Sequence, residues 1–304
     1  MGDDHLRKGR EVPFHWSLLA GCTSGISARF ITAPLDTVKI RLQLHLANET
    51  SYGGILHVVR TMLRDEGVRS LWKGNVPALM MYILYGSTQF SAYSTLNKAL
   101  AGNQWPAQIH TCVVGALAGA CSAVVSYPFD VLRTRFIANH DRALSTVLGT
   151  TVEIWNNEGA HGFFRGVSSS VIGVGIASSS IFATYESIKI FCEQSPYRDS
   201  ASIKFLESSA STIAGVVSKT IVFPIDTVRK RIQVINSRHL DRFARGNVAY
   251  GVYRGTNFLQ LALKVVEKEG ASALYRGFTL GIMKSVPTTV VSIGVYEWTL
   301  RRVI

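Results

Sequence analysis

The residues best placed to do chemistry in this chain are charges set where charge is costly. Arg29, Lys219 and Lys284 each lie in a long stretch otherwise almost free of charge. If such a stretch crosses a bilayer, an ionisable side chain within it marks a path for ions or solutes. Guanidinium and ammonium groups there bind anions, phosphate foremost. A second set of charges repeats. Asp36 precedes Lys39, Asp130 precedes Arg133 and Asp226 precedes Arg229, each by three residues. On a helix, an acid and a base at that spacing project from nearly one face, and three such pairs can join into a ring of ion pairs. Arg29 and Lys219 lie seven residues before Asp36 and Asp226 and share their face. Met81, Tyr85 and Gln89 follow one another at four-residue spacing, a stripe suited to an apolar or aromatic ring. Plainer alternatives stand beside these readings. The cations could snorkel or pair structurally, the repeated charges could decorate helix ends, and Tyr85 and Gln89 could simply pack between helices.

These residues sit in a chain built of three copies of one unit. The segment Pro34-Leu35-Asp36-Thr37-Val38-Lys39-Ile40-Arg41 recurs as Pro128-Phe129-Asp130-Val131-Leu132-Arg133-Thr134-Arg135 and as Pro224-Ile225-Asp226-Thr227-Val228-Arg229-Lys230-Arg231, the prolines 94 and 96 residues apart. A second element follows each copy: Glu66-Gly67 with Trp72-Lys73-Gly74, Glu158-Gly159 with Phe164-Arg165-Gly166, and Glu269-Gly270 with Tyr275-Arg276-Gly277. Apolar stretches rich in small residues precede the prolines, at 14–33, 109–127 and 206–223. Long stretches follow the glycines, at 76–96, 167–191 and 278–300. That makes six spans of about 20 residues, enough for a bilayer. Gly21 with Gly25, Gly115 with Gly119, and Ser211 with Gly215 show the small-xxx-small spacing that lets helices approach closely. Ser, Thr, Tyr and Gln recur at helical spacing, so one face of each span is expected to line a polar interior. Short amphipathic segments at 55–63, 147–155 and 258–266 read as helices lying along the membrane surface. The boundaries expected are a tail over 1–13 and repeats over 14–101, 106–193 and 204–304, the third with an extra Arg- and His-containing loop at 236–255.

Composition narrows the classes. The 304 residues are 47% hydrophobic and carry a net charge of +12. The mean hydropathy of +0.19 is modest for a membrane protein and fits helices that face lipid on one side and water on the other. A basic chain meets nucleic acid, anionic lipid or anionic solutes. Nucleic-acid binding is the remote reading: six low-charge spans oppose it, and zinc spacing, an RRM aromatic signature and long Arg runs are all missing from the sequence. Catalysis, a metal and a cofactor are not expected, because no Ser/His/Asp set, metal-ligand cluster or phosphate loop occurs at usable spacing. His5, His140 and His239 fall in expected loops. Cys22, Cys112, Cys121 and Cys192 lack CxxC spacing and read as reduced packing residues. Residues 1–13, with Asp3, Asp4 and Glu11, resemble neither a secretory signal nor a good transit peptide, so targeting information is expected in the helices.

The threefold Pro-x-Asp-x-x-Lys/Arg-x-Lys/Arg, followed each time by Glu-Gly-x4-aromatic-Lys/Arg-Gly, resembles the mitochondrial carrier family over nearly the whole chain. The resemblance implies an all-α membrane protein of six tilted helices in three two-helix repeats around a pseudo-threefold axis, with three short matrix-side helices. Such a bundle closes alternately on its matrix and cytosolic sides. The implied matrix gate pairs Asp36 with Arg133, Asp130 with Arg229 and Asp226 with Lys39. Gln43 and Gln233 stand as braces, and Ile137 takes the place of a third. The implied cytosolic gate uses an aromatic-acid-x-x-base pattern that only Tyr185, Glu186 and Lys189 meet in full. Tyr93, Ser94 and Asn97 lack acid and base, and Tyr296 with Glu297 ends on Leu300. No complete pair results, so this gate is expected to be weak and the empty carrier to rest open to the cytosol.

Family contact positions fall on Met81, on Gly173 with Val174, and on Lys284, each set counted seven residues beyond its Lys/Arg-Gly glycine. At about 1.5 Å per residue they share a mid-membrane depth with Arg29 and Lys219. Three cations at one depth beside an aromatic stripe imply a phosphate-bearing organic solute with a flat heterocycle. Lipid, by resemblance cardiolipin, is expected on backbone amides near Gly74, Gly166 and Gly277, where helix N-termini offer free N–H groups. The stretches 6–9, 31–44, 125–135 and 284–289 further resemble the fungal thiamine pyrophosphate carriers within that family. This implies import of thiamine pyrophosphate, as solute and not cofactor, in exchange for another phosphorylated compound. A carrier of nucleotides, coenzyme A or another phosphate ester is the alternative on the same fold. A monomer in the inner mitochondrial membrane, with both termini on the intermembrane-space side, completes the expectation.

Overall fold

The computed structural model describes residues 14–44, 54–102, 105–139, 146–195, 200–235, 253 and 255–303. The tail over 1–13, the stretch 6–9, most of the loop at 236–255, and His5, His140 and His239 lie outside the described residues. The described chain is helical, without a strand. In order it forms α1 (Phe14–Leu44), α2 (Gly54–Asp65), α3 (Asn75–Ala99), α4 (Ala107–Ala138), α5 (Val147–Gly162), α6 (Val167–Gln194), α7 (Ala201–Val234), α8 (Phe258–Glu269), α9 (Phe278–Met283) and α10 (Ser285–Val303). Single 3-10 turns over Val68–Trp72 and Ala271–Tyr275 lead into α3 and α9.

Among the described residues, four stretches are long and apolar enough to cross a membrane: Gln108–Ala138, Val167–Gln194, Ser202–Val234 and Ala271–Arg302. Helices α1 and α3 match them in kind, with 31 and 25 residues. Their polar content is what dilutes the signal: α1 alone carries Arg29, Asp36, Lys39 and Arg41. Around the bundle α3 packs along α4, α6 along α7, and α10 along α1, while α1, α4 and α7 touch one another at one end. The short helices cover that end. Val58 and Met62 of α2 bury against Val38, Leu42 and Leu280. Ile154 of α5 packs on Tyr127, Val131 and Leu132, and Leu261 and Val265 of α8 join Ile40 and Val228.

Prolines 34, 128 and 224 lie inside α1, α4 and α7. Each lacks an N–H and releases the carbonyl four residues earlier. In the first repeat the indole Nε1 of Trp72 donates to that carbonyl, Phe30, at 3.0 Å. In the third the Tyr275 hydroxyl donates to the Thr220 carbonyl at 3.3 Å. The aromatic before Lys/Arg-Gly thus replaces the bond its proline removes. Phe164, at this place in the second repeat, has no proton to donate.

Gly74, Gly166 and Gly277 precede α3, α6 and α9 with φ of 76°, 84° and 82°. A Cβ there would stand 2.8 Å from Ile137 Cγ1, 3.0 Å from the Tyr127 hydroxyl and 3.2 Å from the Lys39 carbonyl oxygen, respectively. Backbone conformation and close packing both call for glycine.

Three sequence expectations change. A Cβ on Gly21, Gly25, Gly115 or Gly215 would meet nothing within 4 Å, so these positions are not close helix contacts; Gly119 is one, with Val174 at 2.9 Å. The span expected over 278–300 is divided between Met283 and Ser285, because Pro287 has no N–H for the Met283 carbonyl. All four cysteines are free as expected, but of them only Cys192 is a buried packing residue, and Cys22 and Cys121 are exposed.

Candidate functional site

Where α1, α4 and α7 converge, their acids and bases form a ring. Arg133 Nη2 lies 2.9 Å from Asp36, Arg229 Nη2 3.4 Å from Asp130, and Lys39 Nζ 3.1 Å from Asp226. Each pair joins two different repeats. Gln43 Nε2 donates to Asp226 and to the Thr227 hydroxyl, both at 3.3 Å, and Gln233 Nε2 donates to Asp130 at 2.8 Å. Ile137 is fully buried and brings no donor to the Asp36–Arg133 pair. Lys230 is an addition that sequence reading did not single out. Its ammonium lies 2.6 Å from Asp130 and 3.0 Å from the Thr134 hydroxyl. The other repeats hold Ile40 and Thr134 at its place, which hid it from a search for threefold recurrence.

A second, outer ring has a sequence signal that also recurs three times, the last base of the proline motif and the acid of Glu-Gly. The last base of each proline motif grips the acid of the Glu-Gly element. Arg41 Nη2 donates to Glu66 at 3.0 Å, Arg135 Nη2 to Glu158 at 2.9 Å and Arg231 Nη2 to Glu269 at 3.1 Å, each beside a second bond from Nη1. Such forked pairs are geometrically specific. Lys73, Arg165 and Arg276 approach the same carboxylates at 2.6, 3.3 and 3.0 Å. The Nε of each arginine reaches the next repeat: Arg41 to Ile137 O at 3.1 Å, Arg135 to Gln233 O at 2.8 Å, Arg231 to Gln43 O at 3.1 Å. In the third repeat the Tyr253 hydroxyl also donates to Glu269, at 3.1 Å. Burial and then the Glu269 carboxylate push that phenol up to about 12.

Two of the solute candidates, Arg29 and Lys284, gather on Asp36 of the first repeat. Asp36 accepts from Arg29 and, at 2.6 Å, from Lys284 Nζ, besides Arg133. One carboxylate therefore answers three cations. The Nε atoms of Arg29 and Arg133 are buried and have no hydrogen-bond partner. A guanidinium N–H left unpaired there is costly, and an anion would satisfy it. The Arg29 guanidinium also stands over the Tyr82 ring, 4.5 Å from its centre. Above this cluster opens a cavity of about 620 Å³, a size suited to a small organic solute. Its walls come from α1 (Gly21, Gly25, Arg29), α3 (Leu79, Tyr82, Ile83), Lys284 at the junction of α9 and α10, and the hydroxyl face of α10.

The remaining candidates lie elsewhere. Lys219 Nζ donates to the Ser285 hydroxyl at 2.6 Å, so it touches a lining residue from outside the lining. Gly173 is buried against α7, with Val222 and Ile225 just under 4 Å from where its Cβ would be. Val174 and the Tyr85 hydroxyl pack on Gly119. Met81 is half-buried and Gln89 exposed, and neither lines this cavity. The aromatic side chain in the wall is Tyr82, one position from the stripe that sequence spacing picked. Its signal was the helical set Leu79, Tyr82 and Ile83. At the opposite end of the bundle, Tyr93, Ser94, Tyr185, Lys189 and Glu297 are exposed, and Glu186 and Tyr296 half-buried. Among the described residues no ion pair joins them. Asn97 Oδ1 bonds instead to His110 Nε2 at 3.0 Å.

The threefold ring, the repeated outer grips and the proline-bearing helices agree with comparisons to known proteins. The family model described as "Mitochondrial carrier protein" matches three times, over residues 10–104, 104–195 and 203–304. The chain is 45% identical to the "Mitochondrial thiamine pyrophosphate carrier 1" of Saccharomyces cerevisiae, covering 97% of this chain and 96% of that one. Proteins of the same name from Eremothecium gossypii and Kluyveromyces lactis are 47% and 46% identical, covering 98% of this chain and 92% and 94% of theirs. With three matched repeats spanning nearly all its residues, the chain belongs to the mitochondrial carrier family.

Proposed function

We propose that this carrier imports thiamine pyrophosphate across the inner mitochondrial membrane by alternating access, in exchange for another phosphorylated compound. The observation that carries the reading is the cluster beneath the cavity, where Arg29, Lys284 and Arg133 share one carboxylate. Two positive charges in excess, with buried donors unpaired, suit a polyanion. A pyrophosphate presents adjacent phosphoryl groups that accept charge-assisted bonds from Arg and Lys together. The names of the relatives point to the same solute. Lys219, one hydroxyl away through Ser285, supplies a further cation as the site closes.

In this reading the pairs Asp36–Arg133, Asp130–Arg229 and Asp226–Lys39, braced by Gln43 and Gln233, form the matrix gate. The cytosolic gate comprises Tyr93, Ser94, Asn97, Tyr185, Glu186, Lys189, Tyr296 and Glu297 and holds no complete ion pair. Met81, Tyr85, Gln89, Gly173 and Val174 come into contact with solute only when the helices move. Backbone amides near Gly74, Gly166 and Gly277 hold a cardiolipin headgroup. The chain works as a monomer with both termini in the intermembrane space, and it catalyses no reaction. Solute must bind the intermediate state better than either open state, because equal contacts would shift nothing. Uptake into proteoliposomes tests the reading. Labelled thiamine pyrophosphate should enter saturably and be displaced by unlabelled thiamine pyrophosphate more effectively than by nucleotides or coenzyme A. The reading is overturned if thiamine pyrophosphate neither enters nor competes.

A further inference from the structure

Tyr82 lines the cavity and is 44% exposed, and the Arg29 guanidinium lies over its ring, 4.5 Å from the ring centre. An aromatic face attracts cations, and this one is covered by a cation that has a second attachment, to Asp36. Arg29 is nevertheless under-bonded, since its Nε is buried without a partner. We propose that Tyr82 is the seat of the solute's positively charged ring, vacated when Arg29 turns to the solute's phosphoryl groups. In the empty chain the guanidinium occupies the aromatic face. When pyrophosphate satisfies the guanidinium from the other side, the thiazolium ring of thiamine pyrophosphate takes its place. The inference rests on the solute proposed above and adds how its heterocycle is told from other rings.

The opposite walls fit a ring that is positive and donates hydrogen bonds. The Thr288 hydroxyl donates to the Lys284 carbonyl at 2.6 Å, and the Thr289 hydroxyl to the Ser285 carbonyl at 3.0 Å. Both protons are committed to their own helix, so each oxygen has only acceptor capacity left for the cavity. Acceptors suit the amino group of an aminopyrimidine and the charge of a thiazolium; they offer nothing to a phosphate. On α1, a Cβ at Gly25 would meet no atom within 4 Å, so this lining position leaves room for a ring in the cavity. The cavity thus sets the Arg29 and Lys284 cations beside the Tyr82 ring and acceptor hydroxyls on α10 among its other walls, a lining that suits a solute carrying both phosphoryl groups and a cationic ring.

The test is competition in proteoliposomes holding the full chain. The probe is an isostere of thiamine pyrophosphate whose thiazolium is replaced by an uncharged thiophene. The unaltered chain should favour the charged ring about tenfold, between the scales of an exposed and a desolvated cation–aromatic contact. Tyr82→Phe, which keeps the aromatic face, should retain that preference, and Tyr82→Leu should reduce it towards one. A preference that survives Tyr82→Leu, or equal competition by both rings in the unaltered chain, overturns the ring seat. The second comparison needs no variant and so does not depend on Tyr82→Leu folding. Uptake of thiamine pyrophosphate without ring preference sinks the ring seat alone, whereas no uptake at all removes the solute assignment and the ring seat with it.

Discussion

The bond that Trp72 makes to the Phe30 carbonyl can be weighed directly. Pro34 denies that carbonyl its helical partner, and the indole N–H supplies one at 3.0 Å. The bond lies at the exposed face of α1, so losing it costs the net value of one hydrogen bond, about 1 kcal/mol. Trp72→Phe removes the donor but also trims a ring that packs against Phe30 at 5.6 Å, so the single substitution mixes two effects. A double-mutant cycle separates them. In a Pro34→Ala background the helix regains its own N–H for Phe30, and the indole donor becomes redundant. Trp72→Phe should then cost about 1 kcal/mol less than in the unaltered chain, which corresponds to about 2 °C in thermal midpoint for a chain of this size. Thermal unfolding of the four purified proteins in one detergent measures it. The third repeat gives a cleaner single change. Tyr275→Phe removes only the hydroxyl and keeps the stack on Phe223 at 6.2 Å, for about 0.5–1 kcal/mol. If Trp72→Phe costs the same with and without Pro34, the aromatic does not replace the missing bond and the argument fails.

Other outcomes follow from the two rings and the cavity. Lys284→Glu should abolish uptake while the protein still inserts into membranes; normal uptake would exclude Lys284 from the site. Asp36→Asn should destabilise the protein by about 3 kcal/mol or more, because it strands buried cations at once, and thermal unfolding would show it. Gly74→Ala should cost about 1–3 kcal/mol by strain at φ 76° and by overlap with Ile137, whereas Gly21→Ala, with nothing nearby, should change the midpoint little. The Tyr253 phenol holds its proton more tightly in the folded chain than in the unfolded one, where it titrates near about 10. Its contribution is therefore whole below about pH 10 and is lost as pH climbs through about 12, so the stability gap between the unaltered chain and Tyr253→Phe should close over that range.

Much of this was readable before any coordinates, and for a physical reason. Ring closure in a three-repeat bundle demands the same acid, base and glycine three times, so Asp36, Asp130 and Asp226, and the glycines at 74, 166 and 277, stand out by recurrence alone. What recurrence could not reveal is what occurs once. Lys230 matches no counterpart, and the pairing of Lys284 with Asp36 joins residues 248 apart, whereas Arg29, seven residues from Asp36 on one helix face, is placed beside it by spacing alone. The choice of Tyr85 over Tyr82 has a similar origin. Four-residue spacing defines a stripe on a helix but not its direction, and α3 turns that stripe towards Gly119 of α4.

The departures from threefold symmetry fall together. The Asp130 and Asp226 pairs each have a glutamine brace, at 2.8 and 3.3 Å. The Asp36 pair has Ile137 where a brace would stand, and it is the pair that Arg29 and Lys284 join. A brace holds its carboxylate with a neutral donor, which an anionic solute draws less strongly than it draws a cation. Arg29 and Lys284 hold Asp36 with groups that a polyanion can claim. The Asp226 pair is thus braced by a neutral group and the Asp130 pair by a neutral group together with Lys230, which is buried and outside the cavity lining, while the third is secured by cations at the cavity that a phosphorylated solute would draw away. By that difference a bound anion would loosen the first pair before the others, so opening would begin between α1 and α4 and reach α7 last.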